Sequence, residues 1–223
     1  MTRVATHRQA LSPAEKEQQQ KRRKAKQFWL KQLHSWHWIS AALSLIGMLF
    51  FAITGITLNH AGAIHAEPKV VARSGKLPVG LLKELSAPAK ADAPLPADVA
   101  AQVRQQTGVE VAGHPAEWAS DTITVNLPRP GGDGWVTVDP SNGAIASEMT
   151  DRGWVSLAND LHKGRNAGGG WGWFIDIFAI ACVIFTLTGL LLLQLHSKHR
   201  PATWPIVGLG LLIPILLIHF LVP

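Results

Sequence analysis

Three stretches of the chain carry apolar side chains with no interruption by charge. Residues 32–66, 177–197 and 201–223 hold no Asp, Glu, Lys or Arg. A helix needs about 20 mainly apolar residues to cross the hydrocarbon core. In lipid the backbone must satisfy its own hydrogen bonds, so such segments can only be helices. The pattern predicts transmembrane helices over residues 36–59, 171–196 and 203–223. Trp36, Trp38, Trp171, Trp173 and Trp204 flank these spans, as interfacial anchors do.

Between the first two spans the period changes. Residues 61–95 are rich in Ala, Pro, Lys and Gly and read as irregular chain, with one short element at "VGLLKELS". "LPADVAAQVRQQTG" reads as a helix, with Pro96 near its start, Val99 and Val103 four apart, and Gly108 as its stop. "DTITVNLP" alternates like a strand, and "GWVTVDPSNGAIASEM" reads as two strands around an Asp-Pro-Ser-Asn-Gly turn. "DRGWVSLANDLHKG" is helical by its spacing, with Trp154, Leu157 and Leu161 on one face and Gly164 at its end. Gly168, Gly169 and Gly170 read as a flexible joint before the second span. The expected fold is an α+β membrane protein: three transmembrane helices with a small α/β module, residues 60–170, between helices 1 and 2.

Charge orients this plan. Charged residues make up only 16% of the chain, against about 25% in a soluble domain. The first 32 residues hold nine Lys or Arg and two acids, so the chain's net charge of +6 comes from this end. The positive-inside rule makes residues 1–35 a cytoplasmic leader and 197–202 a cytoplasmic turn. The 60–170 module and the C-terminus then lie outside. A cleaved signal peptide ending at Ala61-Gly62-Ala63 is disfavoured, because the apolar region is too long. The basic leader abuts a span, so topology and anionic membrane lipids account for it without nucleic acid.

Ten histidines occur, and they gather at the span ends. His34 and His37 share one helix face, as do His196 and His199; all four belong to the cytoplasmic side. His60, His162 and His219 belong to the outer side, while His7, His65 and His114 read as surface residues. One helix cannot supply both ligands of a single haem here, since His37 to His60 spans about 35 Å. Facing helices could, with an imidazole above and below each iron and no open coordination site. This arrangement assigns His60 and His162 to an outer haem iron, with His219 as a substitute. His37 and His196 go to an inner one, with His34 and His199 in reserve. Gly47, Gly55 and Gly189 would leave room for a porphyrin, and Lys163 and Arg165 would pair with propionates. Against this stands the reading of interfacial histidines as anchors. Asp176, an acid about one turn into the second span, is read equally as a functional group or as reaching the interface.

Other chemistries find no footing. "NAGGGWGWF" has no strand before it, so it is not a dinucleotide loop. The single Cys182 can make no internal disulfide. There is no HExxH or Ser/His/Asp order for hydrolysis.

"GWVTVDPSNGAIASE" resembles the strand-turn-strand of a PepSY domain. "HSWHWISAALSLIGMLFFAITGITLNH" and "LHKGRNAGGGWGWFIDIFAIACVIFTLTGLLLLQLH" resemble the spans of PepSY-associated transmembrane proteins, a likeness covering roughly residues 33–200. The resemblance implies a bacterial inner membrane, haem b, and reduction of periplasmic ferric iron or ferric siderophores. Electrons would come from the quinone pool or a cytoplasmic reductase. Larger relatives carry more spans than the three here, so a homodimer is the implied way to complete a haem site. The resemblance also allows a membrane-anchored module with no enzymatic role, restraining a peptidase or assembling with an iron transporter.

Overall fold

The computed structural model describes residues 12–64, 67–85 and 92–222, with the side chain of His199 excepted. His7, His65 and the start of the basic leader lie outside the described residues. The chain separates into two compact units, Leu49–Asp176 and a second made of Met1–Met48 with Ile177–Pro223.

Helix α1 runs over Pro13–Asn59. It begins earlier than the predicted span, taking in most of the leader. Ser12 and Glu15 set the start: the Glu15 N–H donates to the Ser12 hydroxyl at 3.3 Å, and the Ser12 N–H donates to the Glu15 carboxylate at 2.7 Å. This reciprocal pair satisfies two of the orphan donors of a first turn, and Pro13 follows at the position that needs no N–H.

The burial pattern of α1 is the inverse of a soluble helix. Leu43, Leu45, Ile46, Leu49, Ile53 and Ile56 are exposed, while Ser40, Ser44 and Thr54 are buried. Small polar residues let membrane helices approach closely, and large apolar ones suit lipid. The hydroxyls of Ser40, Ser44 and Thr54 are spent on carbonyls of Trp36, Ser40 and Phe50, one turn earlier in α1. Among the described residues three helices are long and apolar enough to cross a membrane: α1, α4 (Gly168–His196) and α5 (Thr203–Leu221).

The unit Leu49–Asp176 contains the module. Its strands are β1 (Lys69–Lys76), β2 (Ala116–Trp118), β3 (Ile123–Asn126), β4 (Gly132–Val138) and β5 (Ala144–Asp151). They form one antiparallel sheet in the order β1-β5-β4-β3-β2. Helix α2 (Ala97–Thr107) lays Val99 and Val103 on it, and Ile123, Val125, Val136, Val138 and Ile145 meet them from the strands. Each such side chain, fully buried, contributes roughly 1.5–3 kcal/mol. Pro96 precedes α2 and Gly108, at φ +73°, ends it, as the sequence predicts. The β4–β5 turn is held by Asp139, whose carboxylate accepts from the Ser141 backbone and hydroxyl, with Gly143 at φ +74° closing it.

Three expectations are corrected. Residues 69–76 are not irregular chain but β1, an edge strand whose ladder partner is β5, from Lys69↔Asp151 to Lys76↔Ala144. Its residues are mostly exposed on both faces, so no alternation marks it. One end is closed by Gln106, whose amide accepts from the Lys76 N–H and donates to its C=O. The sheet also gains β2, which at three residues is too short to show a period in the sequence. The glycine triplet is not a joint: Gly168–Gly170 form the first turn of α4.

Candidate functional site: two histidine cradles

Helix α3 (Gly153–Lys163) carries His162 in its last turn, before Gly164 at φ +66°. Two features tie α3 to the sheet. Gly131, in the β3–β4 connection, lies so close to Leu157 that an added Cβ would fall 2.9 Å from its Cα. The nearly buried carboxylate of Asp160 accepts the Gly131 N–H at 2.9 Å and pairs with Arg165 Nε at 3.1 Å. The Trp171 indole donates to the Leu161 carbonyl at 2.8 Å, fixing the start of α4 to the same helix end.

Held in this way, α3 meets the end of α1 through two polar pairs. Thr57 donates to the Asn159 side-chain oxygen at 2.6 Å, and Thr54 Oγ1 lies 2.6 Å from His162 Nδ1. The spacing of three on both helices brings the pairs one turn apart. The half-buried His162 ring also lies 4.8 Å from the Phe51 ring, and a Cβ on Gly55 would be 3.7 Å from its Cε1.

The other unit repeats the arrangement with the helices' roles exchanged. Here α1 supplies the imidazole and α4 receives it. His37 Nδ1 lies 3.0 Å from Thr188 Oγ1. The ring stacks on Phe185 at 4.8 Å and 17°. A Cβ on Gly189 would be 3.3 Å from its Cε1. The receiving residues are Phe51, Thr54 and Gly55 in one cradle and Phe185, Thr188 and Gly189 in the other. Both are the sequence Phe-x-x-Thr-Gly, "FAITG" and "FTLTG". Thr and Gly are small enough to admit a ring, and the Phe one turn earlier packs on it, stacked at Phe185 and tilted by 48° at Phe51. This repeat was the available sequence signal for the threonines.

The remaining described histidine side chains are exposed. His34, His60 and His196 direct Nδ1 at the carbonyls of Leu30, Ile56 and Leu192, at 2.8, 3.0 and 2.8 Å. His219, exposed on α5, meets the Phe220 ring edge-on at 4.8 Å. His199 lies in a short 3-10 turn, Ser197–His199, with its side chain outside the described residues. Lys163 is exposed, as is Asp176 in the first half of α4. His162 and His37 meet threonines that lie at a different level of the helix from the histidines the spacing paired with them. His60 lies six residues beyond Thr54, about 9 Å of helix rise, and His196 eight beyond Thr188, about 12 Å. Among the described residues no group of three or more His, Cys, Asp or Glu is placed to hold a bare metal ion.

The tautomers follow from the partners. A carbonyl only accepts, so His34, His60 and His196 carry their hydrogen on Nδ1. In the neutral imidazole this arrangement leaves the lone pair on Nε2, the form a ligating histidine needs. The glycines read as room for a porphyrin are taken up by protein side chains: Gly55 and Gly189 by the imidazoles of His162 and His37, and Gly47 by the Phe178 ring.

Three apolar helices and a five-stranded antiparallel sheet with its helices define a multi-pass α+β membrane protein. The sequence model of the PepSY_TM-like family matches residues 28–223, and the chain belongs to that family. No curated protein and no solved structure matches it.

Proposed function

We propose that this protein is a b-type haem electron-transfer protein of the bacterial inner membrane, reducing ferric iron or ferric siderophores on the periplasmic side. One observation carries the reading. His34, His60 and His196 each spend the Nδ1 hydrogen on a helix carbonyl, and His37 and His162 each place Nδ1 against a threonine. Ligating histidines are oriented by a hydrogen bond of this kind at the other ring nitrogen. Anchoring to a headgroup region would not require it at five positions.

Haem b, when bound, supplies one-electron chemistry between two axial imidazoles. The chain's part is to hold and orient. His162 and His37 are the better prepared ligands, because packing against Phe51 and Phe185 restricts their rings. His60 and His196 are the second ligands, supplied by a second copy, since within one chain they lie about 9 and 12 Å along the helix from the threonines that His162 and His37 meet. Lys163 and Arg165 stand beside His162 as cations for propionates, with Arg165 Nε already committed to Asp160. The basic leader faces the cytoplasm and the module the periplasm in this reading.

Pyridine haemochrome analysis of the purified full-length protein tests it. The expected result is haem b, reduced in content in His162→Ala and in His37→Ala. Absence of haem bands after expression with ample haem would sink the reading. A tethered module that restrains a peptidase, or assembles with an iron transporter, would then remain.

A further inference from the structure

Three threonines of the spans bond both to a helix carbonyl and to a distant side chain: Thr57 meets the Asn159 amide oxygen, whereas Thr54 and Thr188 meet a histidine. Ser40, Ser44 and Thr186 bond one turn back to a helix carbonyl, and each has that role alone among the described residues. Thr54 and Thr188 do the same, to Phe50 O at 2.9 Å and Ile184 O at 2.7 Å, and each also meets a histidine Nδ1. A hydroxyl has one hydrogen and two lone pairs. With its hydrogen directed at the carbonyl, each threonine can only accept from the imidazole. A neutral His162 or His37 ring paired in this sense carries its hydrogen on Nδ1 and its lone pair on Nε2, whereas a hydroxyl donating to Nδ1 would require the opposite tautomer.

We infer that Thr54 and Thr188 are positioning residues, each fixing the tautomer and ring orientation of its histidine so that Nε2 is the nitrogen offered to a ligand. The inference deepens the haem reading and rests on it only for the identity of that ligand. The repeat makes it more than a local contact. The same Phe-x-x-Thr-Gly sequence receives an imidazole from α3 on α1 and an imidazole from α1 on α4. Different helices in different surroundings thus use the same three residue types for the same ring. His34, His60 and His196 need no such partner, since a backbone carbonyl of their own helix performs the task.

The test uses full-length protein in lipid nanodiscs with 15N-labelled histidine. Nitrogen chemical shifts report the tautomer with no haem present. Wild type is expected to carry hydrogen on Nδ1 at both His37 and His162. Thr54→Val keeps the shape and removes the acceptor, so His162 alone should gain the Nε2–H form. Thr188→Val should do this to His37 alone, and serine at either position should restore the wild-type signal. Thr186→Val, two residues from Thr188 and exposed, should change neither ring. Unprotonated Nδ1 in wild type, or tautomers indifferent to both valine substitutions, overturns the inference.

A second arm titrates haem into the same samples, where each valine variant should bind about 10–100-fold more weakly. Should wild type show the expected tautomers yet take up no haem, the positioning role stands and the haem reading fails. Should wild type bind haem with tautomers that ignore the threonines, the haem reading stands and the positioning role fails.

Discussion

Asp160 accepts the backbone N–H of Gly131 at 2.9 Å, and through this bond the helix that carries His162 is fastened to the sheet. The carboxylate is 5% exposed and also pairs with Arg165. Removing it leaves a buried donor unsatisfied, which costs about 1–3 kcal/mol. Asp160→Ala should lower the unfolding free energy of the module by that amount in urea titrations. Arg165→Ala, which leaves the Gly131 bond intact, should cost less.

The two cradles differ in how tightly glycine meets the ring, and this predicts an asymmetry. A Cβ at Gly55 would sit in ordinary contact with His162, at 3.7 Å, whereas at Gly189 it would press on His37, at 3.3 Å. Gly55→Ala should leave the His162 nitrogen resonances in place. Gly189→Ala should shift those of His37, and Gly189→Val should expel the ring, with an overpacking cost of roughly 1–3 kcal/mol. Equal responses at both positions would argue against this difference in how deeply the rings are seated.

The module core should respond as a close-packed interior. Ile123 is almost wholly buried, among strand valines and under α2. Ile123→Val should cost about 0.5–1.5 kcal/mol. The exposed Val79 offers the contrast, and Val79→Ala should stay within about 0.5 kcal/mol of wild type. Thermal unfolding followed by tryptophan fluorescence measures both.

Acid should loosen the β4–β5 turn. The Ser141 hydroxyl, then its backbone N–H, hold the Asp139 carboxyl below its ordinary value of 3.8. A folded value lower than the unfolded one contributes stability that is present above the unfolded value and is lost as pH falls through the folded one. Urea midpoints should therefore decline in the range from about pH 4 downward, and Asp139→Asn should flatten that decline. An unchanged acid slope in the variant would contradict the assignment.

Much of this architecture was legible because its signals are local. Pro96 and Gly108 bracket α2, Gly164 ends α3, and Asp139 to Gly143 mark the hairpin. What escaped depends on distant chain. β1 is defined by pairing with β5, more than seventy residues later, and its exposed faces give no alternation. The histidines were visible at the span ends, but their level on the neighbouring helix was not. Sequence places His162 just before the second span; only packing of α3 against α1 brings it to Thr54 instead of His60. The Phe-x-x-Thr-Gly repeat lay open to view, yet it acquires meaning only once a ring is seen against each copy.

The closure of β1 at Lys76 by Gln106 is partial. Alternation along an antiparallel strand turns the backbone groups of Val70, Ala72 and Ser74 away from β5. Among the described residues nothing is bonded to them on that rim. An uncapped rim is a template on which a second chain can crystallise its own backbone, and cationic side chains are the usual deterrent. Lys69, Arg73 and Lys76 supply that deterrent here. For protein held in lipid, concentrated salt screens these charges and should favour association of copies through this rim.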